Sequence, residues 1–156
     1  MASGAYQKGI DDVFKGTIQF GTTALKIMLV NAGYTFDPDH TVVDPGVNNS
    51  TSPKFNEVVA TNYTGGFGGA GRKTATCSTS VQNANNRTVV IITDITWTAL
   101  GGATNDTVAA AILIKETTDD TLSRLIAYLD FANTPTNGSD FTLDFDGTNG
   151  NLQFSV

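Results

Sequence analysis

The chain has 156 residues, of which 40% are hydrophobic, and carries nine Lys and Arg against fifteen Asp and Glu, a net charge of −6. This length and composition predict one domain with a buried core, and the lack of a basic block argues against nucleic-acid binding, which needs clustered cations. No apolar run reaches the roughly 20 residues of a membrane helix, and the single cysteine, Cys77, excludes an intrachain disulfide and any multi-cysteine metal site.

The N-terminal segment is predicted to form a short amphipathic helix or an arm. Within residues 5–15, four apolar side chains recur at spacings of four, three and one, as on one face of a helix: Tyr6, Ile10, Val13 and Phe14. Gly9 weakens the helical pattern, and Gly16 is predicted to end it. We therefore assign residues 1–21 to an N-terminal helix or arm and residues 22–156 to a single β-sandwich domain.

Eight strands are predicted in the rest of the chain from runs rich in β-branched and aromatic residues. In chain order, these runs are residues 23–30, 57–63, 72–81, 89–97, 108–115, 122–131, 141–145 and 152–156. Turn-forming residues separate them, and no internal repeat is present. The pattern predicts an all-β fold, an antiparallel β-sandwich of the jelly-roll-like type with about eight strands.

Three of these runs are predicted to form the middle of the sandwich. The run 89–97 alternates between two faces with the period of a strand, and the runs 108–115 and 122–131 are rich in apolar residues. A polar turn, TDDT at 118–121, predicts that the last two pair as a hairpin, and the turn DGTNGN predicts a second hairpin between the final two strands. The predicted buried core includes Trp97, Ile112, Ile114, Ile126 and Leu129.

A long excursion, residues 31–57, follows the first strand and contains three of the four prolines. A structureless loop of that length is rare in a compact domain, so we expect either a helical turn near 39–43 or a functional role. His40, the only histidine, lies here among three carboxylates: Asp37, Asp39 and Asp44. Such a cluster could bind a divalent ion or serve as an acid–base pair, but Pro38 and Pro45 favour local turn formation.

Two motifs resemble ligand-binding sites, and both are better explained as turns. Residues 66–71 match G-x-G-x-x-G, but a strand rather than the helix of a dinucleotide site is predicted to follow. Residues 144–150 resemble the start of a calcium loop, yet Ser155 occupies the position of its essential Glu. Cys77 is predicted to be a strand thiol rather than a nucleophile. No carboxylate pair is singled out for glycoside hydrolysis, so the sequence predicts no enzyme, no cofactor and no metal.

Four short segments follow one another in an ordered pattern: YTFDPDH (34–40), EVVATNYTGG (57–66), DITW (94–97) and LIAYLDF (125–131). In this order they resemble a group of small tailed-bacteriophage virion proteins. The likeness covers roughly residues 22–156 and leaves the first 21 residues outside it. It implies a jelly-roll-like head decoration or cement protein, which lies on the outer capsid surface and staples neighbouring major capsid subunits. The group offers no catalytic residues to carry over.

The resemblance also implies partners and a location. The expected partners are the major capsid protein and sister copies of the chain, as a homodimer or homotrimer, with assembly in the host cytoplasm. The acidic charge agrees with an outer position, since a lumenal protein would face packaged DNA. Neither a nucleic acid nor a membrane is an expected partner. A tail, baseplate or receptor-binding module, including one that contacts glycans, is the alternative.

The sandwich does not need two of the predicted segments, the N-terminal start (6–14) and the excursion (34–55). Their apolar side chains must therefore either pack back on the sandwich or face a partner. We hypothesise that they contact the capsid or a sister copy through seven residues: Tyr6, Ile10, Phe14, Tyr34, Phe36, Val42 and Val43. On that hypothesis, deleting residues 1–15 abolishes attachment and leaves the isolated domain folded.

Overall fold

In the computed structural model, which describes residues 3–46, 50–148 and 150–155, the chain is an all-β domain with one short α-helix, α1 (Gln7–Phe14), and a single 3-10 turn, Asn83–Asn85. The described ranges contain ten strands: β1 (Gly4–Ala5), β2 (Leu25–Asn31), β3 (Lys73–Ala75), β4 (Cys77–Gln82), β5 (Arg87–Ile92), β6 (Ile95–Leu100), β7 (Thr107–Lys115), β8 (Arg124–Pro135), β9 (Ser139–Leu143) and β10 (Leu152–Ser155). The predicted all-β sandwich with a short N-terminal helix is confirmed. No helix in those ranges is long and apolar enough to cross a bilayer.

The strands form three sheets arranged in two layers, and every strand pair is antiparallel. One layer is a five-stranded sheet in the order β1-β8-β7-β2-β3. The opposite layer consists of a three-stranded sheet, β10-β5-β4, and a two-stranded sheet, β6-β9. The predicted β7–β8 hairpin is confirmed, with Ile112 opposite Tyr128 in the ladder. Only Thr76 separates β3 from β4, so one run of chain links the edges of the two layers.

Two predicted strands are each divided between separate sheets, so both predictions of a single strand are wrong. The predicted strand 89–97 bends at Asp94 into β5 and β6, and there the Asp94 carboxylate accepts the backbone N–H of Phe145. Both β5 and β6 lie opposite β7 and β8 rather than beside them. The predicted strand 72–81 likewise divides at Thr76 into β3 and β4. Alternating apolar and polar residues indicate only that the backbone is locally extended. The alternation continues through both breaks and therefore does not show where one strand ends and the next begins.

Two further predictions are wrong, and one of the two alternatives for the excursion does not hold. Residues 57–63 form isolated bridges but no strand, because Asn62 adopts a left-handed φ of 65° that interrupts an extended chain. The final two strands do not form a hairpin, since β9 pairs with β6 and β10 pairs with β5. Residues 39–43, all of them described, form no helical turn. Instead, the Asp37 carboxylate accepts the N–H of Asp39 in a local turn.

The five-stranded sheet buries both of its faces. Its inner face packs against the opposite layer around Trp97, whose side chain is 1% exposed. Its outer face belongs to a second buried cluster, which we call the outer core: Tyr6, Met28, Val30, Tyr34, Val43, Ala110, Ile112, Ile114, Leu125 and Tyr128. Of the residues predicted to be buried, Leu129 is partly exposed and the others are fully buried: Trp97, Ile112, Ile114 and Ile126.

The N-terminal segment and the excursion cover the outer face of this sheet as a third layer. The Tyr6 N–H donates a hydrogen bond of 3.0 Å to the carbonyl of Ile126 in β8. Helix α1 approaches β8 closely because Gly9 has no side chain, and a Cβ there would lie 2.3 Å from the Leu125 carbonyl oxygen. The glycine that weakens the helical sequence pattern is thus the residue that lets the helix pack on the sheet.

Candidate interaction surface

Three of the seven predicted interface residues, Tyr6, Tyr34 and Val43, are at most 2% exposed and lie in the outer core. These side chains are therefore part of the fold and present no surface to a partner. Three others are partly buried: Ile10, Phe36 and Val42. Phe14 is 77% exposed at the end of α1. Contact with a partner through this part of the chain stays a prediction, and Phe14 is the residue best placed to make it.

Aromatic side chains join the excursion to the N-terminal segment. The hydroxyl oxygens of Tyr6 and Tyr34 are 2.8 Å apart, and the Tyr34 hydroxyl lies 3.1 Å from Nδ1 of His40. The Phe36 ring stacks on Tyr128, with 5.0 Å between the ring centroids. Burial raises the pKa of Tyr34 to about 12 and also raises the pKa of Tyr6. Both phenols therefore stay protonated and hydrogen-bonded at neutral pH.

The carboxylates near His40 form local turns and ion pairs. His40 Nε2 lies 3.8 Å from Asp37 Oδ2, whereas Asp44 pairs with Lys54 at 2.7 Å. The Asp37 and Asp44 carboxylates each accept the backbone N–H of the residue two positions further along the chain. Across the described ranges, no group of three or more His, Cys, Asp or Glu side chains could hold a metal ion. The geometry of this cluster is that of turn-forming residues.

The glycine-rich segment 66–71 is a turn that leads into β3. Gly66 and Gly68 have left-handed φ values of 80° and 70°, which glycine adopts without steric cost. The Gly66 N–H donates to Glu57 at 2.9 Å, and the Gly68 N–H donates to Glu116 at 3.3 Å. In a nucleotide site, such backbone N–H groups would bind phosphate. Here they bind carboxylates of the same chain, which supports the interpretation as a structural turn.

A buried arginine, Arg72, holds this loop in place. Its side chain is 0% exposed and donates hydrogen bonds to Glu57 at 2.7 and 2.8 Å and to Asp120 at 2.5 and 3.1 Å. A further bond of 3.2 Å reaches Glu116, and the Tyr63 hydroxyl donates to Glu57 at 3.1 Å. A buried charge is costly without such partners. We call these five residues the Arg72 network.

Two members of the Arg72 network, Arg72 and Glu116, keep their charges at neutral pH. Burial lowers the pKa of Arg72, but its hydrogen bonds to Glu57 and Asp120 more than offset this effect and raise the pKa above its ordinary value. Burial raises the pKa of Glu116, but Lys26, a backbone N–H and Arg72 together lower it. Lys26 of β2 forms an ion pair with Glu116. The network therefore ties β2, the β7–β8 turn and the glycine-rich loop together.

Cys77 and the calcium-like loop have local structural roles. Cys77 is buried in β4, and burial raises the pKa of its thiol to about 11, so the thiol is protonated at neutral pH.

In the calcium-like loop, the Asp146 carboxylate accepts the N–H of Thr148 at 2.8 Å in a turn. Asn149 of the same motif lies outside the described residues.

Three large apolar side chains are exposed beside the Arg72 network. Phe55 is 65% exposed, Val59 is 69% exposed and Phe67 is 47% exposed. Phe55 and Val59 line a depression of about 280 Å³ together with Tyr63 and Gly66, the residue that precedes Phe67. We call Phe55, Val59 and Phe67 the Phe55 surface. Grouped exposed apolar side chains mark sites of interaction more often than scattered ones do.

The large aromatic side chains exposed in the described ranges are all phenylalanines: Phe14, Phe55 and Phe67. All four tyrosines and Trp97 are buried. Clustered exposed aromatic side chains are expected of the glycan-contacting alternative as well as of a protein-binding surface, so the class of partner stays a prediction.

The sequence pattern does not single out the Phe55 surface or the Arg72 network. It places Phe55 in the excursion, and Val59 and Arg72 in predicted strands. One usable signal was the presence of a charge in each of these strands, Glu57 and Arg72, because a charge inside a sandwich needs a partner. Sequence spacing does not identify that partner, since Arg72 lies 15, 44 and 48 positions from its three carboxylates.

A scan against protein-family models found no match, and neither did searches of curated proteins and of solved structures. The functional interpretation therefore depends on the sequence pattern and on the geometry of the surface. The most informative feature of that surface is the set of exposed apolar side chains Phe55, Val59 and Phe67, which lie on two segments that both contact the Glu57 carboxylate or carry it.

Proposed function

We propose that this protein is a structural component of a tailed-phage virion that decorates and cements the outer capsid surface by stapling neighbouring major capsid subunits. The ordered sequence pattern and the antiparallel sandwich support this proposal. The observation that carries it is the Phe55 surface, three large apolar side chains on a rigid base. A cement protein needs such a surface, because its partner is another folded protein and the energy of such contacts is concentrated in a few apolar anchors.

The Arg72 network prepares the Phe55 surface for binding. Glu57 lies between Phe55 and Val59 in the chain, and Arg72 holds its carboxylate with two hydrogen bonds. The residue before Phe67 donates its backbone N–H to the same carboxylate. Loops that are fixed before binding lose little conformational entropy on contact. More of the contact energy is therefore available as affinity for the capsid.

The charge of the chain supports an outer position. A net charge of −6 would be repelled by packaged DNA inside the shell and is tolerated outside it. Sister copies carry the same charge, so the proposed homodimer or homotrimer would form through neutral or apolar surfaces. The proposed partners are thus the major capsid protein and sister copies of this chain.

Copy number per virion separates a capsid protein from a tail protein. We expect quantitative mass spectrometry of purified virions to give on the order of hundreds of copies, as symmetric decoration of a shell requires. A result of a dozen copies or fewer would contradict the capsid position and favour the tail, baseplate or receptor-binding alternative.

Point variants test the Phe55 surface itself. The double variant Phe55→Ser, Val59→Ser should fold, because both side chains are largely exposed, and should lose attachment to virions that lack the native protein. Val81→Ser is the matched control, since Val81 is 70% exposed on β4, away from this surface. Full attachment of the double variant, or equal loss in both proteins, would contradict this assignment.

A further inference from the structure

The chain links the edges of the two layers on one side of the sandwich and leaves a cleft on the other. On one side, the run from β3 through Thr76 to β4 links the edges of both layers. On the other side, β8 of one layer and β9 of the other follow each other in the chain but do not pair. A cleft of about 540 Å³ lies between them, and we call it the β8–β9 cleft.

The β8–β9 cleft is bordered by the edges of strands. Residues 129–132 of β8 line one side, and residues 141–145, which begin in β9, line the other. Side chains alternate between the two faces of a strand, so consecutive residues line the same cleft only where the cleft follows the edge of the strand. At an edge, backbone N–H and C=O groups point sideways and are able to pair with a further strand.

These edges have few strand partners among the described residues, although two of their backbone N–H groups donate to side chains: Asp130 to Ser3 at 3.0 Å and Phe145 to Asp94 at 2.8 Å. There, β9 pairs with β6 alone, and β1 pairs with β8 only at Ala127 and Tyr128. We propose that the β8–β9 cleft binds an extended segment of a partner protein as a strand beside β9, with apolar and basic side chains in alternation. The sheets of a sandwich pack about 10 Å apart and paired strands lie about 4.8 Å apart. An added strand beside β9 would therefore occupy about half of that spacing on the side that faces β8.

The side chains of the cleft specify this alternation. Phe131, Phe141 and Phe145 line it and are only partly buried, and the rings of Phe131 and Phe141 are 6.0 Å apart. Two carboxylates, Asp144 and Asp130, also line it, and Asp130 shares a hydrogen bond with Tyr128. None of the described lining residues is Lys or Arg. A strand turns alternate side chains to opposite faces. Apolar side chains would contact the rings, and basic side chains would contact the carboxylates.

The proposal is tested with the full chain and a synthetic peptide of eight residues that alternates Lys and Val and has both ends blocked. We expect binding in the micromolar range by fluorescence anisotropy, with slower hydrogen exchange at residues 139–145 when the peptide is saturating. Asp144→Lys should weaken binding at least about tenfold, because it reverses a charge in the cleft. Asp39→Lys, the same charge change in the third layer, should weaken binding less than about twofold.

Two further peptides separate strand pairing from charge attraction. A peptide with Glu in place of Lys should bind at least about tenfold more weakly. A peptide N-methylated at every residue has no backbone N–H group with which to pair and should not slow exchange at residues 139–145. The absence of protection there, equal weakening by Asp144→Lys and Asp39→Lys, or undiminished binding of the N-methylated peptide would each overturn the proposal. This binding mode does not depend on a virion location.

Discussion

The two faces of the five-stranded sheet are buried by different parts of the chain. The inner face meets the opposite layer around Trp97, which is 1% exposed. The outer face meets α1 and the excursion, which bring Tyr6 and Tyr34 into one cluster with Ile112. Tyr6 is 0% exposed, so solvent is excluded from the outer face at Tyr6 as fully as from the inner face at Trp97. The N-terminal segment and the excursion are therefore part of the fold.

The composition of the central strands explains why the outer face needs a cover. All seven residues from 108 to 114 of β7 are buried. A strand that is apolar on both faces must be covered on both faces, and a sandwich of two layers covers only one of them. An apolar second face on a central strand thus predicts a third layer, and segments outside the sandwich are the natural source of it.

Deleting residues 1–15 should have the largest effect on stability. The deletion removes α1 and Tyr6 and exposes Tyr34 and Ile112 of the outer core. Removing one large buried aromatic side chain costs about 3–5 kcal/mol, out of a total of about 5–15 kcal/mol for a typical domain. We expect the shortened chain to lose its cooperative urea transition, followed by circular dichroism. An unchanged midpoint would mean that this segment adds nothing to the stability of the domain, as the partner-contact hypothesis from the sequence predicts.

Arg72→Met should have the next largest effect. It leaves the buried carboxylates of Glu57 and Asp120 without their cation, and breaking a buried ion pair in this way costs about 3–5 kcal/mol. Lys73→Met is the control, because it removes a charge at the next position, where the side chain is only half-buried. It should change the free energy of unfolding by less than about 0.5 kcal/mol. Equal urea midpoints for the two variants would contradict a structural role for the network.

A pair of substitutions compares the two faces of the sheet directly. Ile126→Ala acts on the core between the two layers and Ile112→Ala on the outer core, and both side chains are 0% exposed. Each should lower the free energy of unfolding by about 2–5 kcal/mol, measured by urea titration. A loss of less than about 1 kcal/mol for Ile112→Ala alone would show that the outer face is loosely covered.

The smallest expected effect is a dependence on pH. Burial raises the pKa of Glu116, but Lys26, a backbone N–H and Arg72 lower it below its ordinary 4.5. A carboxyl group whose pKa is lower in the folded state adds stability above its unfolded pKa, and this stability is lost as the pH falls through the folded value. We expect Glu116→Gln to unfold with a shallower loss of stability below pH 4.5 than the native chain. Parallel pH profiles of the two proteins would be the contrary result.

Features that depend on neighbours in the sequence were predictable. The TDDT turn at 118–121 predicts the β7–β8 hairpin, and the spacing of apolar residues from Tyr6 to Phe14 predicts α1. The pairing of β9 with β6 was not predictable, because it joins Trp97 to Phe141 across a long stretch of chain. Hydrophobic periodicity describes each strand separately and does not identify its partner.

The candidate surface was less predictable than the fold. Tyr34 and Phe14 both appear as apolar residues in polar surroundings, yet Tyr34 is 2% exposed and Phe14 is 77% exposed. Apolar character alone does not predict which of the two side chains is buried. Tyr34 is buried because it packs in one cluster with residues of β7, which is distant in the sequence. Arg72 was missed for a similar reason, since its carboxylate partners come together only in the folded chain.

Hydrogen exchange of the isolated full chain tests most directly whether the third layer belongs to the fold. The Tyr6 N–H donates to the Ile126 carbonyl and the Val43 N–H to the Ser123 carbonyl, each at 3.0 Å. If the layer opens only when the whole domain unfolds, these two amides should exchange within about tenfold of the rate of Ile112 in the centre of β7. Exchange at Tyr6 and Val43 on the order of a thousandfold faster, with Ile112 still protected, would contradict the account.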